Sequence, residues 1–205
     1  MKPYVCILDY GSGNVKSVYN LVITLAERVT ISNDIRVIQE ATHLILPGVG
    51  AFGASMAKIR DSLPLDLLEH AVFVSRKPFL GICVGLQVLA EKGYEFGEYD
   101  GLGWLPGIVS KLDSQSFPLP HVGWNDIQIR SSSPLLCEFD HQQDFYFVHS
   151  FVFRASEPET VLATTYYGEE FACILNKGNI YGVQFHPEKS QKAGRLLLQN
   201  FLGLS

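Results

Sequence analysis

Long apolar runs, clustered positive charge and closely spaced cysteines are all missing from this sequence, and each absence removes a class of function. No apolar stretch approaches the roughly 20 residues needed to span a bilayer, so no membrane partner is expected. Lys and Arg number 16 against 21 Asp and Glu, for a formal charge of −5. Nucleic-acid binding calls for clustered basic residues, so no nucleic-acid partner is expected either. The four cysteines, Cys6, Cys83, Cys137 and Cys173, show no CxxC spacing. That argues against a zinc site or a disulfide framework and suits a cytoplasmic protein. Met1-Lys2-Pro3 runs directly into a strand-like stretch, which is not the pattern of a signal peptide. Internal repeats, low-complexity tracts and dividing linkers are also lacking. With 47% hydrophobic and 18% charged residues, the 205-residue chain is expected to fill one domain over 1–205.

The first half alternates short apolar runs with helix-like segments. Residues 4–8, 28–31, 43–46 and 79–82 read as strands, and 14–27, 62–76 and 84–92 as helices. This rhythm predicts an α/β fold, a single domain with a mixed, mostly parallel central sheet flanked by helices. The second half differs. Strand-like runs at 108–112, 125–129, 145–149, 160–164, 172–175 and 180–184 are separated by turn residues, which predicts an additional antiparallel portion. A final helix over 191–201 is expected to pack Leu196, Leu197 and Phe201 inward.

The most informative stretch is Gly81-Ile82-Cys83-Val84-Gly85, between an apolar strand and a helix-like segment. It has the form of a G-x-nucleophile-x-G elbow with cysteine as the nucleophile. A sharp strand-to-helix turn strains the central residue, and Cβ atoms at the flanking positions would collide with neighbouring backbone. The turn sets the sulfur near a helix N-terminus, which favours thiolate, and aims the Val84 amide at an oxygen that turns negative during acyl transfer. The alternative is a small buried hydrophobe between two packing glycines.

A cysteine nucleophile needs a base, and the base needs an orienting carboxylate. His186-Pro187-Glu188, at the end of the run 180–184, provides both types in the right order. His43, His70, His121, His141 and His149 have no carboxylate two residues on. An isolated His-Pro-Glu would be read as a plain loop; joined to a cysteine elbow it is read as chemistry.

These elements resemble class I (triad-type) glutamine amidotransferases, most closely the glutaminase subunits of imidazole glycerol phosphate synthases of histidine biosynthesis. The likeness runs through Asp9-Tyr10-Gly11-Ser12-Gly13-Asn14, Leu46-Pro47-Gly48-Val49-Gly50-Ala51-Phe52, the elbow continued to Gln87, Pro120-His121-Val122-Gly123-Trp124-Asn125, Tyr146-Phe147-Val148-His149-Ser150 and 182–190. The resemblance implies a triad of Cys83, His186 and Glu188, and an oxyanion site built from Val49, Gly50 and Val84. It implies glutamine contacts by Gly48, Gln87, Glu95, His149, Ser150 and Phe151. It places Asn14, Trp124, Tyr146 and Lys189 at a face that docks a (βα)8-barrel cyclase as a heterodimer partner, to which the ammonia passes. No metal or organic cofactor is implied, and the enzyme classes implied are hydrolase and lyase.

Val84, Leu86, Trp104, Val122 and Phe151 depart from the residues frequent in that subfamily. Trp104, Val122 and Phe151 leave open a paralogous glutaminase feeding another synthase, for example in nucleotide-sugar amidination for surface polysaccharide. A peptidase-like hydrolase on the same elbow and a subunit without catalysis are the further alternatives. Gly11-Ser12-Gly13 lacks the third glycine of a dinucleotide loop, because Lys16 stands there.

Overall fold

The computed structural model describes residues 3–139 and 143–204; His141 lies outside these. Four apolar runs form the parallel strands β1 (Tyr4–Leu8), β2 (Arg28–Ser32), β3 (His43–Gly48) and β4 (Phe79–Cys83). Every residue of β1, β3 and β4 is buried, the pattern of strands covered on both faces. They are joined through α1 (Val15–Val22), α2 (Ile35–Glu40), α3 (Phe52–Ser62) and α4 (Leu65–Glu69), the last running on into a π-helical turn (His70–Val74).

A one-turn helix, α5 (Val84–Gln87), follows β4. Then come the short strands β5 (Lys92–Gly93) and β6 (Tyr99–Asp100), and β7 (Gly107–Lys111), β8 (His121–Asp126), β9 (Gln128–Ile129), β10 (Asp144–His149) and β11 (Phe151–Ala155). The chain ends with β12 (Val161–Tyr167), β13 (Glu169–Lys177), β14 (Ile180–Val183) and α6 (Gln191–Leu202).

The large sheet has the order β2-β1-β3-β4-β14-β13-β12-β9. It is parallel from β2 to β14 and antiparallel beyond. The decisive feature is β14, late in sequence but paired with β4 in the register Gly182↔Gly81 and Val183↔Ile82. Two distant segments therefore leave the sheet side by side, at the carboxyl ends of parallel strands where open α/β sheets place their sites. The second-half strands also form a four-stranded sheet, β11-β7-β5-β6, and a separate β10-β8 ribbon.

Several expected boundaries shift for local reasons. The helix expected over 14–27 stops at Val22, where the Thr24 hydroxyl takes the Leu21 carbonyl at 2.7 Å. The helix expected over 62–76 begins only after Pro64, which cannot continue α3. The helix expected over 84–92 ends after one turn, because the carbonyls of Val88, Leu89 and Ala90 accept instead from the amides of Leu102, Trp104 and Gly103 at 2.8–3.0 Å. The strand expected at 125–129 is two strands, β8 and β9. In the last helix Leu197, Leu198 and Phe201 are buried, while Leu196 is half-exposed.

Candidate active site

Cys83 joins β4 to α5 with φ +57° and ψ −113°, a backbone conformation costing a non-glycine residue roughly 1–3 kcal/mol. Packing imposes it. A Cβ on Gly81 would lie 2.5 Å from the Gly85 carbonyl oxygen, and one on Gly85 would lie 1.8 Å from that of Leu46. Gly48 presses equally close, its Cβ position 2.4 Å from the Gly85 nitrogen. Backbone thus packs on backbone across β3, β4 and α5, and the sulfur is pushed out at the strand end. Since α5 is a single turn, its dipole contributes little. What it offers is the Val84 N–H, which has no partner within the helix.

β14 brings His186 to the sulfur. Pro187 opens a 3-10 turn (Pro187–Lys189) that turns Glu188 back on the ring, and His186 Nδ1 meets Glu188 Oε1 at 2.8 Å. The two side chains are 5% and 1% exposed. The imidazole and the Cys83 sulfur line the same pocket. Burial disfavours the imidazolium, but the nearby Cys83 and the Glu188 carboxylate prevail, holding His186 well above the ordinary histidine range. Ser190 braces the turn: its hydroxyl donates to the His186 carbonyl at 2.6 Å and accepts from the Tyr146 amide at 3.0 Å.

A pocket of about 200 Å3 opens beside the sulfur, lined among others by Val49, Gly50, Cys83, Val84, Gln87 and Glu95. Its other wall is 148–151 with His186 and Lys189. The expected site residues thus converge. Gly48 does not line the pocket but packs beneath it. Gly50 has φ +97°, and the Val49 carbonyl accepts from the Ser12 hydroxyl at 3.2 Å. The Gln87 amide donates to the Phe151 carbonyl at 2.9 Å and to Gln184 Oε1 at 3.1 Å. Glu95 reaches the pocket with one oxygen held by the Phe52 amide at 2.7 Å, and burial pushes its carboxyl pKa up against that hydrogen bond.

The residues expected at a docking face behave differently from one another. Trp124 on β8 is 48% exposed and meets Tyr146 on β10 edge-on at 5.9 Å. Lys189 Nζ stands 5.5 Å from the Tyr146 ring centroid. Asn14 is tied to the site, its amide donating to Glu188 Oε1 at 3.1 Å. Glu188 Oε2 has no partner among the described residues.

Two further site residues lie within the quoted motifs but were given no role from the sequence. Val148 lines the pocket, and its carbonyl lies 3.9 Å from the sulfur. Gln184, fully buried within the apolar run before His186, donates to Cys83 Sγ at 3.8 Å. A buried amide interrupting an apolar strand was the available clue.

Residues 6–203 match the family model for class-I glutamine amidotransferases. Curated relatives include "Imidazole glycerol phosphate synthase subunit HisH" of Pelagibacter ubique, 40% identical over 98% of this chain and 99% of that one. The subunit of the same name from Salinibacter ruber is 44% identical over 97% and 93%, and that from Bdellovibrio bacteriovorus 43% identical over 95% and 97%. Among solved structures, a chain of PurLQS from Thermotoga maritima matches with TM-score 0.74 at 18% identity, covering 99% of both chains. The expected lyase class is not upheld: the matched family is one of amidotransferases, and a thiol, an imidazole and a carboxylate equip amide cleavage by water. With sequence, fold and strand-end geometry in agreement, this chain belongs to the class-I glutamine amidotransferases.

Proposed function

We propose that the chain hydrolyses glutamine to glutamate and ammonia, and delivers the ammonia to a cyclase partner making imidazole glycerol phosphate in histidine biosynthesis. The observation that carries the reading is the buried Cys83–His186–Glu188 array opening onto a pocket sized for a small metabolite. Near-full-length identity of about 40% with HisH subunits supports the destination.

Each residue has a chemical task in this reading. The Cys83 thiolate attacks the side-chain amide carbon of glutamine. The Val84 amide, with those of Val49 and Gly50, stabilises the oxyanion that forms. His186, raised in pKa and oriented by Glu188, protonates the departing nitrogen, so ammonia leaves and a γ-glutamyl thioester remains. His186 then takes a proton from water, which attacks the thioester, releases glutamate and restores the thiolate–imidazolium pair.

Gln87, Glu95 and the 149–151 wall hold the amino-acid end of the substrate. Trp124, Tyr146 and Lys189 form the face for a (βα)8-barrel partner. Asn14 connects that face to Glu188. Sealing the two proteins keeps ammonia from being protonated in water. Among the described residues no helix is long and apolar enough to cross a membrane, and the reading places the enzyme in the cytoplasm.

The test is glutamate release by the purified chain with a barrel cyclase and its nucleotide ligand. Turnover that the cyclase stimulates supports the histidine-pathway assignment. Turnover indifferent to it would move the chain to another synthase.

A further inference from the structure

His121 and His149 lie opposite each other in the β8–β10 ribbon and are 2% and 6% exposed. His121 Nδ1 meets His149 Nε2 at 3.0 Å, and His149 Nδ1 meets the Phe151 carbonyl at 3.1 Å. That carbonyl also accepts from the Gln87 amide, whose nitrogen reaches Gln184, and Gln184 reaches the sulfur. A continuous buried polar chain therefore runs from the ribbon to the nucleophile.

Its directions are determined by its ends. A carbonyl oxygen only accepts, so His149 carries its proton on Nδ1. Its Nε2 is then an acceptor, and His121 must donate from Nδ1. The remaining His121 Nε2 is left to accept from Asn125 Nδ2 at 3.4 Å, and that amide is oriented by donating to the Tyr166 carbonyl at 2.9 Å. Both rings are satisfied only when neutral, and burial presses the same way, taking His121 to about 4 and, with the charges of His121 and His149's other neighbour His186, taking His149 to about 3. The His121 ring is clamped between Tyr167 and Phe147, with centroids at 4.0 and 4.9 Å.

We propose that His121 and His149 act as a positioning pair for glutamine: the His121 Nδ1–H holds His149, whose own Nδ1–H fixes the Phe151 carbonyl and, through it, the Gln87 amide at the pocket. The inference rests on the glutaminase reading. It gives β8, which also carries Trp124, a mechanical tie to the pocket wall.

The test compares His121→Phe and His121→Asn in the complex with the barrel cyclase. Phenylalanine keeps the stacking and removes the donor, whereas asparagine can place an N–H near the Nδ1 position. His121→Phe should raise KM for glutamine about five-fold, the worth of one neutral hydrogen bond, with kcat within about two-fold. His121→Asn should return KM to near the wild-type value. An unchanged KM in the Phe variant, or a rise that Asn leaves uncorrected, would overturn the pair while leaving wild-type turnover intact. A wild type without turnover would overturn the activity reading and this inference together. Long-range 1H–15N spectra of the unsubstituted chain at pH 7 give an independent check. Both rings should be neutral and protonated on Nδ1, and a proton on His149 Nε2 contradicts the pair.

Discussion

Lowering the pH from 7 to 5 is the perturbation to which His121 and His149 should respond most strongly. Both have folded pKa values pushed down by burial, to about 4 and about 3, against roughly 6.5 in an unfolded chain. A base with a depressed folded pKa binds fewer protons folded than unfolded, so stability is lost as pH falls below about 6.5. For one fully buried ring the loss is RT ln(1 + 10^(6.5−pH)), about 0.2 kcal/mol at pH 7 and ~2 kcal/mol at pH 5. Both rings stay largely neutral in the folded chain at pH 5, so the pair together should cost on the order of 3–4 kcal/mol between pH 7 and 5, a large share of a typical 5–15 kcal/mol stability. His186 has the opposite sign: its raised pKa adds stability as pH falls through about 6.5, offsetting part of the loss, and it does so equally in wild type and variant. His43, also lowered by burial, does add slope, equally in wild type and variant. Urea unfolding of wild type and His121→Phe at both pH values isolates the pair. The variant should lose ~1–2 kcal/mol less than wild type on acidification. Equal losses would refute the reasoning.

Three other substitutions test separate parts of the structure. Glu188→Gln leaves the size of the side chain but removes the charge that holds the imidazolium, so kcat should fall on the order of 10²–10⁴-fold with little change in KM, read by steady-state glutaminase kinetics. Gly85→Ala puts a Cβ 1.8 Å from the Leu46 carbonyl oxygen; it should cost roughly 3 kcal/mol or more in chemical denaturation and displace the elbow. Trp124→Ala should weaken association with the barrel partner at least ~10-fold by calorimetry while the free chain's thermal midpoint stays close to wild type.

The parts of the fold carried by local pattern were legible in advance. β1, β3 and β4 announce themselves as apolar runs, and the elbow by two glycines whose steric need the structure bears out at Gly81 and Gly85. What escaped depends on neighbours far along the chain. α3 has Gly53 in its first turn and no side-chain cap, so its local signal is weak, and it is held by packing of Phe52, Met56 and Ile59. α2 is short and announced only by Asp34, which accepts from the Arg36 and Val37 amides at 2.8 and 3.3 Å. β8 begins four residues before the strand expected at 125–129 and runs through Gly123 at φ +139°, which strand patterning does not signal. The convergence of Cys83 with His186 came from motif types. The pairing of β14 with β4 that accomplishes it spans about a hundred residues and has no local signature. Gln184 and the His121–His149 pair were hidden for the same reason: a buried polar group's meaning lies in its partner.

Glutamate release by the purified chain together with a barrel cyclase and its nucleotide ligand, with Cys83→Ala as control, tests the central claim most directly. Turnover that rises sharply with the cyclase and vanishes in the variant is the predicted result. No turnover in any combination, or turnover that survives loss of the Cys83 thiol, would contradict it.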